Sequence, residues 1–336
     1  MTSPFENLER LLTYEDLREK ISAKYIKLNR KLKTSKDMTI KAKELARINL
    51  VYDNVKNYFE KIVHTMPHTS KIHPFYLDLL DVLVGANDYK KSIVRIFKAI
   101  RILDKIHKEC LSMFRLASKP SEYAEIRRNC IGRLLSVLKR NRKYIDFLAH
   151  TTLKLRDIPS IDPETPTAIV AGMPQVGKST LVKAISTAKP KIAPYPFTTR
   201  NLILGHIISR DFKFQAIDTP GLLDRPLSER NPIELQAILA LKHVKGIIVY
   251  LFDVSITGYY TLKQQLRVLS DIEEAFDKEI IVALNKIDIA DLSKVKELIS
   301  TLKSKGYERL FKISALKGIG VKELKDTIIS ELRKIS

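Results

Sequence analysis

Gly172-Met173-Pro174-Gln175-Val176-Gly177-Lys178-Ser179-Thr180 fits the pattern G-x-x-x-x-G-K-[S/T] without a gap. An apolar, β-branched run precedes it at 167–171, and a helical pattern follows it at 181–185. A phosphate-binding loop needs this strand, loop and helix context, in which glycines turn backbone N–H groups towards phosphate oxygens. All nine residues are therefore predicted to hold a nucleotide. Lys178 is predicted to reach the β and γ phosphates, and Ser179 to ligate Mg²⁺.

Three further motifs follow in order, each at the end of a predicted strand. Asp218-Thr219-Pro220-Gly221 follows the strand at 212–217; Asp218 is predicted to hold Mg²⁺ through water, and the Gly221 N–H to sense the γ-phosphate. Asn285-Lys286-Ile287-Asp288 follows the strand at 280–284, and Asp288 can accept from two N–H donors of guanine that adenine lacks. Ser314-Ala315-Leu316 follows the strand at 310–313 and is predicted to offer a backbone N–H to guanine O6. The ordered set predicts a site for GTP or GDP with Mg²⁺.

The net charge indicates a polyanionic partner. The 336 residues include 59 Lys and Arg against 38 Asp and Glu, which gives +21, and about +15 of this lies in residues 1–160. Nucleic acid is the first candidate and an acidic membrane the second, while a solvated, lysine-rich surface of a heat-adapted protein is the alternative. Basic residues recur on the polar faces of the first and last helical segments, at Lys24, Lys27, Arg30, Lys31, Lys33, Arg127, Arg128, Arg133, Lys139, Arg140, Arg142 and Lys143.

The cysteine count and the chain start favour a cytoplasmic protein. Cys110 and Cys130 form no C-x-x-C motif, so we expect neither a disulfide framework nor a zinc site, and we expect both to pack as small apolar groups. Residues 1–6 lack the basic and apolar regions of a signal peptide, and no apolar run reaches the roughly 18 residues of a membrane span.

Hydrophobic periodicity divides the chain into two parts. Residues 1–157 are predicted to form a basic, all-α bundle of five helices, because one-sided apolar stripes recur around 17–32, 45–63, 75–84, 93–114 and 126–148. Three prolines in 158–166 predict a linker. Residues 167–336 alternate short strands, at 202–208, 212–217, 246–252, 280–284 and 310–313, with helices. That alternation predicts an α/β domain with a mostly parallel sheet.

The motifs together resemble the Obg superfamily of GTPases. The similarity covers the phosphate loop, residues 188–200 and residues 218–224, and the stretch 218–237 is similar to the nucleolar GTP-binding, or Nog-type, branch. This resemblance implies a Ras-like P-loop G domain of the Obg type over 167–336, preceded by a helical domain. It also implies that Thr199 is a Mg²⁺ ligand in switch I, and that the family's role is assembly of the large ribosomal subunit on its rRNA. The end of the chain at Ser336 favours an archaeal member.

Two departures bear on hydrolysis. Leu222 follows the switch II glycine, where Ras-like GTPases carry a glutamine that orients the attacking water. We therefore expect slow intrinsic conversion of GTP and water to GDP and phosphate, with Lys178, Thr199 and Gly221 in the catalytic roles. Potassium-using relatives often have asparagine at the position of Gln175, so K⁺ activation stays open. Arg200, Arg225 and Arg230 lie near the switches and are expected either to contact phosphate or RNA, or to face solvent.

The leading hypothesis is a GTP-gated assembly factor. The basic helices would dock on rRNA of the large-subunit precursor, beside other assembly factors, and neither membrane nor DNA is an expected partner. The first alternative is a nucleotide-binding scaffold with negligible hydrolysis, which Leu222 keeps open. The second alternative is a membrane-surface signalling GTPase that uses the same positive charge.

Overall fold

The computed structural model describes residues 3–34, 38–156, 158, 160–193, 195, 201–209, 212–219, 221 and 223–336. Long helices account for most of the first part of the chain, as the apolar stripes predict. They are α1 (Tyr14–Thr34), α2 (Ile40–Thr65), α3 (Pro74–Val84), α4 (Ala86–Leu116), α5 (Pro120–Arg140) and α6 (Arg142–Arg156). None of these described helices is both long and apolar enough to cross a membrane.

The first four predicted helices are confirmed, and the fifth prediction is wrong because that segment forms two helices. Asn141 lies between α5 and α6 with φ −98° and ψ 5°, outside helical geometry. Its side chain is buried, and its Nδ2 donates to Val137 O at 2.8 Å. Its carbonyl accepts from the backbone N–H groups of Tyr144 and Ile145. Asn141 thus ends one helix and begins the next, while the apolar stripe continues past it.

The cysteine prediction is also corrected. Cys110 on α4 and Cys130 on α5 are both buried, as expected, but they are joined in a disulfide. The pairing was not predictable from spacing, because the two residues lie 20 positions apart and meet only when α4 packs on α5.

The second part of the chain is an α/β domain. Its elements are β1 (Thr167–Ala171), α7 (Lys178–Ile185), β2 (Lys191–Ala193), β3 (Leu202–Ser209), β4 (Phe212–Asp218), α8 (Pro232–Leu239), β5 (Gly246–Asp253), α9 (Leu262–Ala275), β6 (Ile280–Asn285), α10 (Leu292–Ser304), β7 (Leu310–Lys312) and α11 (Val321–Lys334). These strands pair in the order β2-β3-β4-β1-β5-β6-β7. β2 and β3 pair antiparallel, as do β3 and β4, and the other pairs are parallel. The predicted strands are confirmed to within two residues, and only the short edge strand β2 was not foreseen.

The parallel core positions the candidate site. β4, β1, β5 and β6 are neighbours and run in one direction, so their carboxyl ends lie along one edge of the sheet. The phosphate loop follows β1, Asp218 ends β4 and Asn285 ends β6. In a parallel α/β sheet this edge is the usual place for a ligand.

The compact units of the structure do not follow the order of the chain. One unit contains 1–6, 73–83 and 157–336, and the other contains 7–72 and 84–156. Most of α3 therefore belongs with the sheet: the Tyr76 hydroxyl donates to Ile161 O, and Gln236 on α8 donates to Asp81. The linker also packs in this unit, since Ile161 is fully buried. The division at 157 and 166 stays a prediction about independent domains.

Candidate nucleotide-binding site

The phosphate loop requires glycine at two positions. Gly172 has a φ of +134°, and a Cβ there would lie 2.5 Å from the Leu251 carbonyl oxygen. Gly177 has a φ of +102°, and a Cβ there would lie 2.3 Å from Nδ2 of Asn285. Gln175 is exposed and also has a positive φ, 64°, which its type rarely adopts. The backbone thus takes the curved path that turns amide groups towards an anion.

Lys178 lies inside this loop, as predicted. Its side chain is 6% exposed, and its Nζ donates to Gly172 O at 2.7 Å and to Met173 O at 2.9 Å. It is also the first residue of α7, whose N-terminus carries a partial positive charge. The ammonium group and the helix therefore present positive charge at one point, which suits phosphate.

Ser179 and Asp218 form the candidate metal site. The Ser179 hydroxyl donates to Asp218 Oδ2, while Asp218 Oδ1 is buried with no hydrogen-bond partner in the described part of the chain. Burial raises the pKa of the fully buried Asp218 carboxyl. A hydroxyl and a carboxylate are hard oxygen ligands of the kind that Mg²⁺ prefers, and an unpartnered buried carboxylate oxygen gains from contact with such a cation. The residues present therefore fit Mg²⁺. Thr199, the third predicted ligand, lies outside the described residues.

Asn285 joins two of the predicted motifs. Its side chain is 2% exposed, and its Nδ2 donates to Val176 O in the phosphate loop at 2.7 Å. Its Oδ1 accepts from the Ala315 N–H at 2.9 Å. One amide thus ties the phosphate loop to the loop after β7. The predicted phosphate-binding and base-binding residues consequently lie on the same edge of the sheet.

Asp288 is held as a carboxylate beside the same edge. A hydrogen bond from Ser314 is the main reason that the pKa of Asp288 is lowered, and Lys317 Nζ lies 3.3 Å from Asp288 Oδ2. An ionised carboxylate accepts hydrogen bonds and donates none, as guanine recognition requires. Leu316 is 83% exposed, so its predicted role is limited to its backbone.

The predicted switch II segment, Gly221 with residues 223–230, forms several hydrogen bonds within itself. The Gly221 N–H, predicted to contact a γ-phosphate, donates to Asp224 Oδ2 at 2.7 Å. Arg230 donates to Gly221 O at 2.6 Å and to Asp224 Oδ1 at 2.9 Å, and its side chain is 3% exposed. Arg230 thus contacts protein rather than facing solvent. Arg225 is half-exposed and pairs with Glu234, and Arg200 and Leu222 lie outside the described residues.

Comparison with known proteins fixes the family. Residues 5–162 match the NOG1 N-terminal helical domain, and residues 232–288 match nucleolar GTP-binding protein 1. The chain belongs to the NOG1 family. An uncharacterized protein of Methanocaldococcus jannaschii is 36% identical over 88% of the chain and 83% of its own length. Nucleolar GTP-binding protein 1 of Caenorhabditis elegans is 33% identical over 87% of the chain. The chain spans 44% of that relative's length.

Two solved structures are similar to about half of this NOG1-family chain. A Plasmodium falciparum protein described as a nucleolar GTP-binding protein 1 is 35% identical, with a TM-score of 0.47, over 53% of this chain and 91% of its own. The Aquifex aeolicus Era variant bound to GDP and AlF4⁻ is 27% identical, with a TM-score of 0.39, over 51% of this chain and 57% of its own. The two family matches confirm the Nog-type resemblance and the N-terminal helical domain, and the sheet of the structure itself confirms the predicted α/β domain.

Two residues of this NOG1-family site were not predicted. Asp253 ends β5 and accepts from Lys286 Nζ at 2.7 Å, which holds a lysine of the predicted guanine-binding motif in place. Asp253 lies directly after an apolar strand, as the three predicted strand-end motifs do. That position could have identified it as a candidate site residue from the sequence. Asp224 lies within the quoted switch II stretch, but its bond to Gly221 depends on the loop conformation.

Proposed function

We propose that the chain binds GTP and GDP with Mg²⁺, hydrolyses GTP slowly, and acts as an assembly factor for the large ribosomal subunit. The observation that carries the nucleotide proposal is the Asn285 bridge, which places the phosphate loop and the Asp288 motif on one edge of the sheet. The names of the relatives, which are GTP-binding proteins, support the same assignment. A cytoplasmic location remains part of the proposal.

Each part of the nucleotide has a proposed contact. Asp288 accepts from the two N–H donors of guanine, and the Ala315 loop faces the guanine O6. Lys178 and the amides of 172–180 neutralise the phosphates, which accumulate negative charge in the transition state. Ser179 and Asp218, with Thr199, hold Mg²⁺, which supplies charge neutralisation for the β and γ oxygens when bound.

Gly221 is the proposed sensor of the γ-phosphate. Its N–H now donates to Asp224, so contact with a phosphate requires that bond to be exchanged. Arg230 holds both Gly221 O and Asp224, and the exchange therefore disturbs the whole segment up to the start of α8. In this proposal, the presence or absence of the γ-phosphate selects between two arrangements of switch II.

Hydrolysis is tested by multiple-turnover phosphate release from Mg²⁺-GTP, with and without large ribosomal particles. Lys178→Ala removes the charge inside the phosphate loop and should abolish release. Lys183→Ala, an exposed lysine on the same helix, is the matched control and should leave the rate unchanged. A comparison of phosphate release in K⁺ and in Na⁺ tests potassium activation at the loop that contains Gln175. A faster release in K⁺ would support it. No turnover in any condition would favour the scaffold alternative.

The ribosomal partner is tested by co-sedimentation with large subunits at moderate salt. Binding that differs between a non-hydrolysable GTP analogue and GDP would support both the partner and the switch. Affinity should fall steeply with added salt, because docking on rRNA phosphates releases counterions. Salt-independent binding, or binding to anionic vesicles instead of subunits, would overturn the RNA-docking part.

A further inference from the structure

Three of the six arginines with which the sequence suggested an RNA surface pair with carboxylates of the helical unit. Arg127 pairs with Glu44 and donates to the Tyr25 hydroxyl. Arg133 pairs with Glu109, and Arg142 contacts carboxylates on α1 and α6. A guanidinium that already faces a carboxylate has less to gain from a phosphate. By contrast, α4 carries a series of exposed cations that the sequence analysis did not single out.

Helix α4 carries an exposed basic stripe. The stripe consists of Lys91, Arg95, Lys98, Arg101, Lys105 and Lys108. Spacings of three and four residues place them on one face, over about 25 Å at 1.5 Å per residue. Two of the three acids of α4 pair with cations outside the stripe: Asp104 pairs with Lys56 and accepts from the Tyr52 hydroxyl, and Glu109 pairs with Arg133. The third, Asp88, lies near Lys91 at the end of the stripe. The stripe thus keeps most of its positive charge.

A cavity of about 560 Å³ lies between α4 and α6 at the N-terminal end of the stripe. Its lining combines cations with aromatic rings, and includes Lys91, Arg95, Lys98, Lys143, Tyr144 and Phe147. Lys143 Nζ lies 5.3 Å from the centre of the Tyr144 ring. Within the described residues, no carboxylate lies within 4.0 Å of Arg95, Lys98 or Lys143. The one acid of the lining, Asp88, lies 3.9 Å from Lys91.

We propose that this α4–α6 surface docks single-stranded RNA, with phosphates along the stripe and a base stacked on Tyr144 in the cavity. The inference rests on the proposed RNA-docking role of the helical unit and names the surface that performs it. Cations that follow a strand, together with an aromatic platform, are how proteins hold unpaired nucleotides. A duplex offers no free base for such a cavity. A membrane is a poorer partner, because the exposed large apolar residues of α4 between Lys91 and Lys108, namely Val94, Phe97 and Ile102, are interspersed among the cations instead of forming a continuous apolar face.

The first experiment measures binding of a labelled oligo(U) strand to the full chain. The variant Lys91→Gln/Arg95→Gln/Lys98→Gln should bind at least tenfold more weakly. Its slope of log affinity against log salt should fall by about 2, because three phosphate contacts are lost at roughly 0.7 each. The control Lys263→Gln/Lys296→Gln/Lys303→Gln removes the same charge from exposed positions of α9 and α10 and should change affinity less than twofold. If both variants lose affinity for oligo(U) equally, binding depends only on the net charge of the chain and not on α4, and the inference is wrong.

The second experiment separates stacking from charge. The chain contains no tryptophan, so Tyr144→Trp introduces a single reporter. Its emission should be quenched by oligo(U) and much less by an RNA duplex of equal length, whereas the control Tyr123→Trp on α5 should not respond. Tyr144→Leu should weaken binding about tenfold without changing the salt slope. If the emission is not quenched, or if Tyr144→Leu does not change the affinity, no base stacks on Tyr144 and the stacking part of the proposal is wrong.

The outcomes distinguish this inference from the function on which it rests. If the unmodified chain binds neither oligo(U) nor ribosomal subunits, the RNA-docking function fails. If it binds both and the α4 variant binds equally well, only the α4–α6 assignment fails. If phosphatidylserine vesicles bind the chain and the α4 variant releases them, the surface faces a membrane and the RNA assignment is wrong.

Discussion

The Asp218 carboxyl is fully buried. As an unpaired carboxylate it lowers the folding stability of the nucleotide-free chain, but the same unpaired charge favours binding of Mg²⁺. In the nucleotide-free chain, Oδ1 has no hydrogen-bond partner in the described part of the structure, and burial raises the pKa of the group. The folded state therefore holds a proton that the unfolded chain has already released at the same pH. Folding stability falls as the pH rises from the ordinary aspartate pKa, about 3.9, through the raised value.

Asp218→Asn should stabilise the nucleotide-free chain at neutral pH. The amide has no ionised form, so the variant avoids the cost of a buried, unpaired charge. The difference in melting temperature from the unmodified chain should shrink as the pH falls and vanish below the ordinary aspartate pKa. The same variant should lose the Mg²⁺ dependence of nucleotide binding. Thermal scans at several pH values measure the first effect, and titrations with and without Mg²⁺ measure the second. A lower melting temperature at neutral pH would contradict the argument.

Asp288→Asn should exchange the base preference of the site. The asparagine amide repels the guanine N–H donors and complements the carbonyl of xanthine, so we expect GTP affinity to fall about 100-fold while xanthosine triphosphate gains. Competition binding with both nucleotides measures the exchange. Asp277→Asn, at an exposed position before β6, is the control and should change neither affinity. Unchanged GTP preference would mean that Asp288 does not read the base.

Residue identity was predictable from the sequence where a motif demands one chemical group. Gly172, Gly177 and Lys178 lie where the pattern predicts, because the loop conformation excludes a Cβ at both glycines. Arg230 was not predictable, since its burial depends on a loop that brings Asp224 and the Gly221 carbonyl to it. Asp288 and Asn285 occupy the predicted edge, but the bridge that Asn285 makes could be seen only after folding.

At the scale of elements, the switch II segment depends on one buried ion pair. Asp224 and Arg230 have side chains only 9% and 3% exposed, and they also bond both backbone groups of Gly221. Arg230→Met leaves Asp224 as an uncompensated buried charge, and we expect a loss of about 3–5 kcal/mol in the free energy of unfolding. Urea unfolding of the nucleotide-free chain measures it. Arg225→Met removes a more exposed partner of Glu234 and should cost less than about 1 kcal/mol.

A double variant completes the test of this segment. Asp224→Asn/Arg230→Met removes both charges, so it should recover part of the stability that Arg230→Met alone loses. If the double variant is as unstable as the sum of the two single ones, the pair is not coupled and another contact holds the segment.

Element boundaries were predictable where the periodicity of a segment changes, and not where it continues. The apolar stripe continues through Asn141, so the periodicity predicts a single helix there. In the structure, the side-chain and backbone hydrogen bonds of Asn141 end α5 and begin α6. The edge strand β2 has only three residues, too few for an alternation to be recognised. The parallel strands were easier, because they are buried on both faces and form continuous apolar runs.

At the scale of the whole molecule, chain order and packing disagree over α3. The helix precedes α4 to α6 in the sequence, yet 73–83 forms one compact unit with the sheet. Phe75, Leu79 and Leu80 are fully buried there. Asp78 Oδ2 lies 3.1 Å from Nε2 of His243, a residue shortly before β5. The sequence alone could not assign α3, because an apolar stripe shows that a helix packs but not against which partner.

The assignment of α3 can be tested by matched core variants. Leu79→Ala on α3 and Leu103→Ala on α4 each truncate a fully buried leucine, and each should cost about 2–5 kcal/mol. Nucleotide at 100 times its Kd should stabilise the unit that binds it by about 2.7 kcal/mol, which marks the transition of that unit in a thermal scan. Leu79→Ala should lower the nucleotide-responsive transition, and Leu103→Ala the other one. If Leu79→Ala lowers only the transition that does not respond to nucleotide, α3 belongs energetically to the helical unit, and its assignment to the unit with the sheet is wrong.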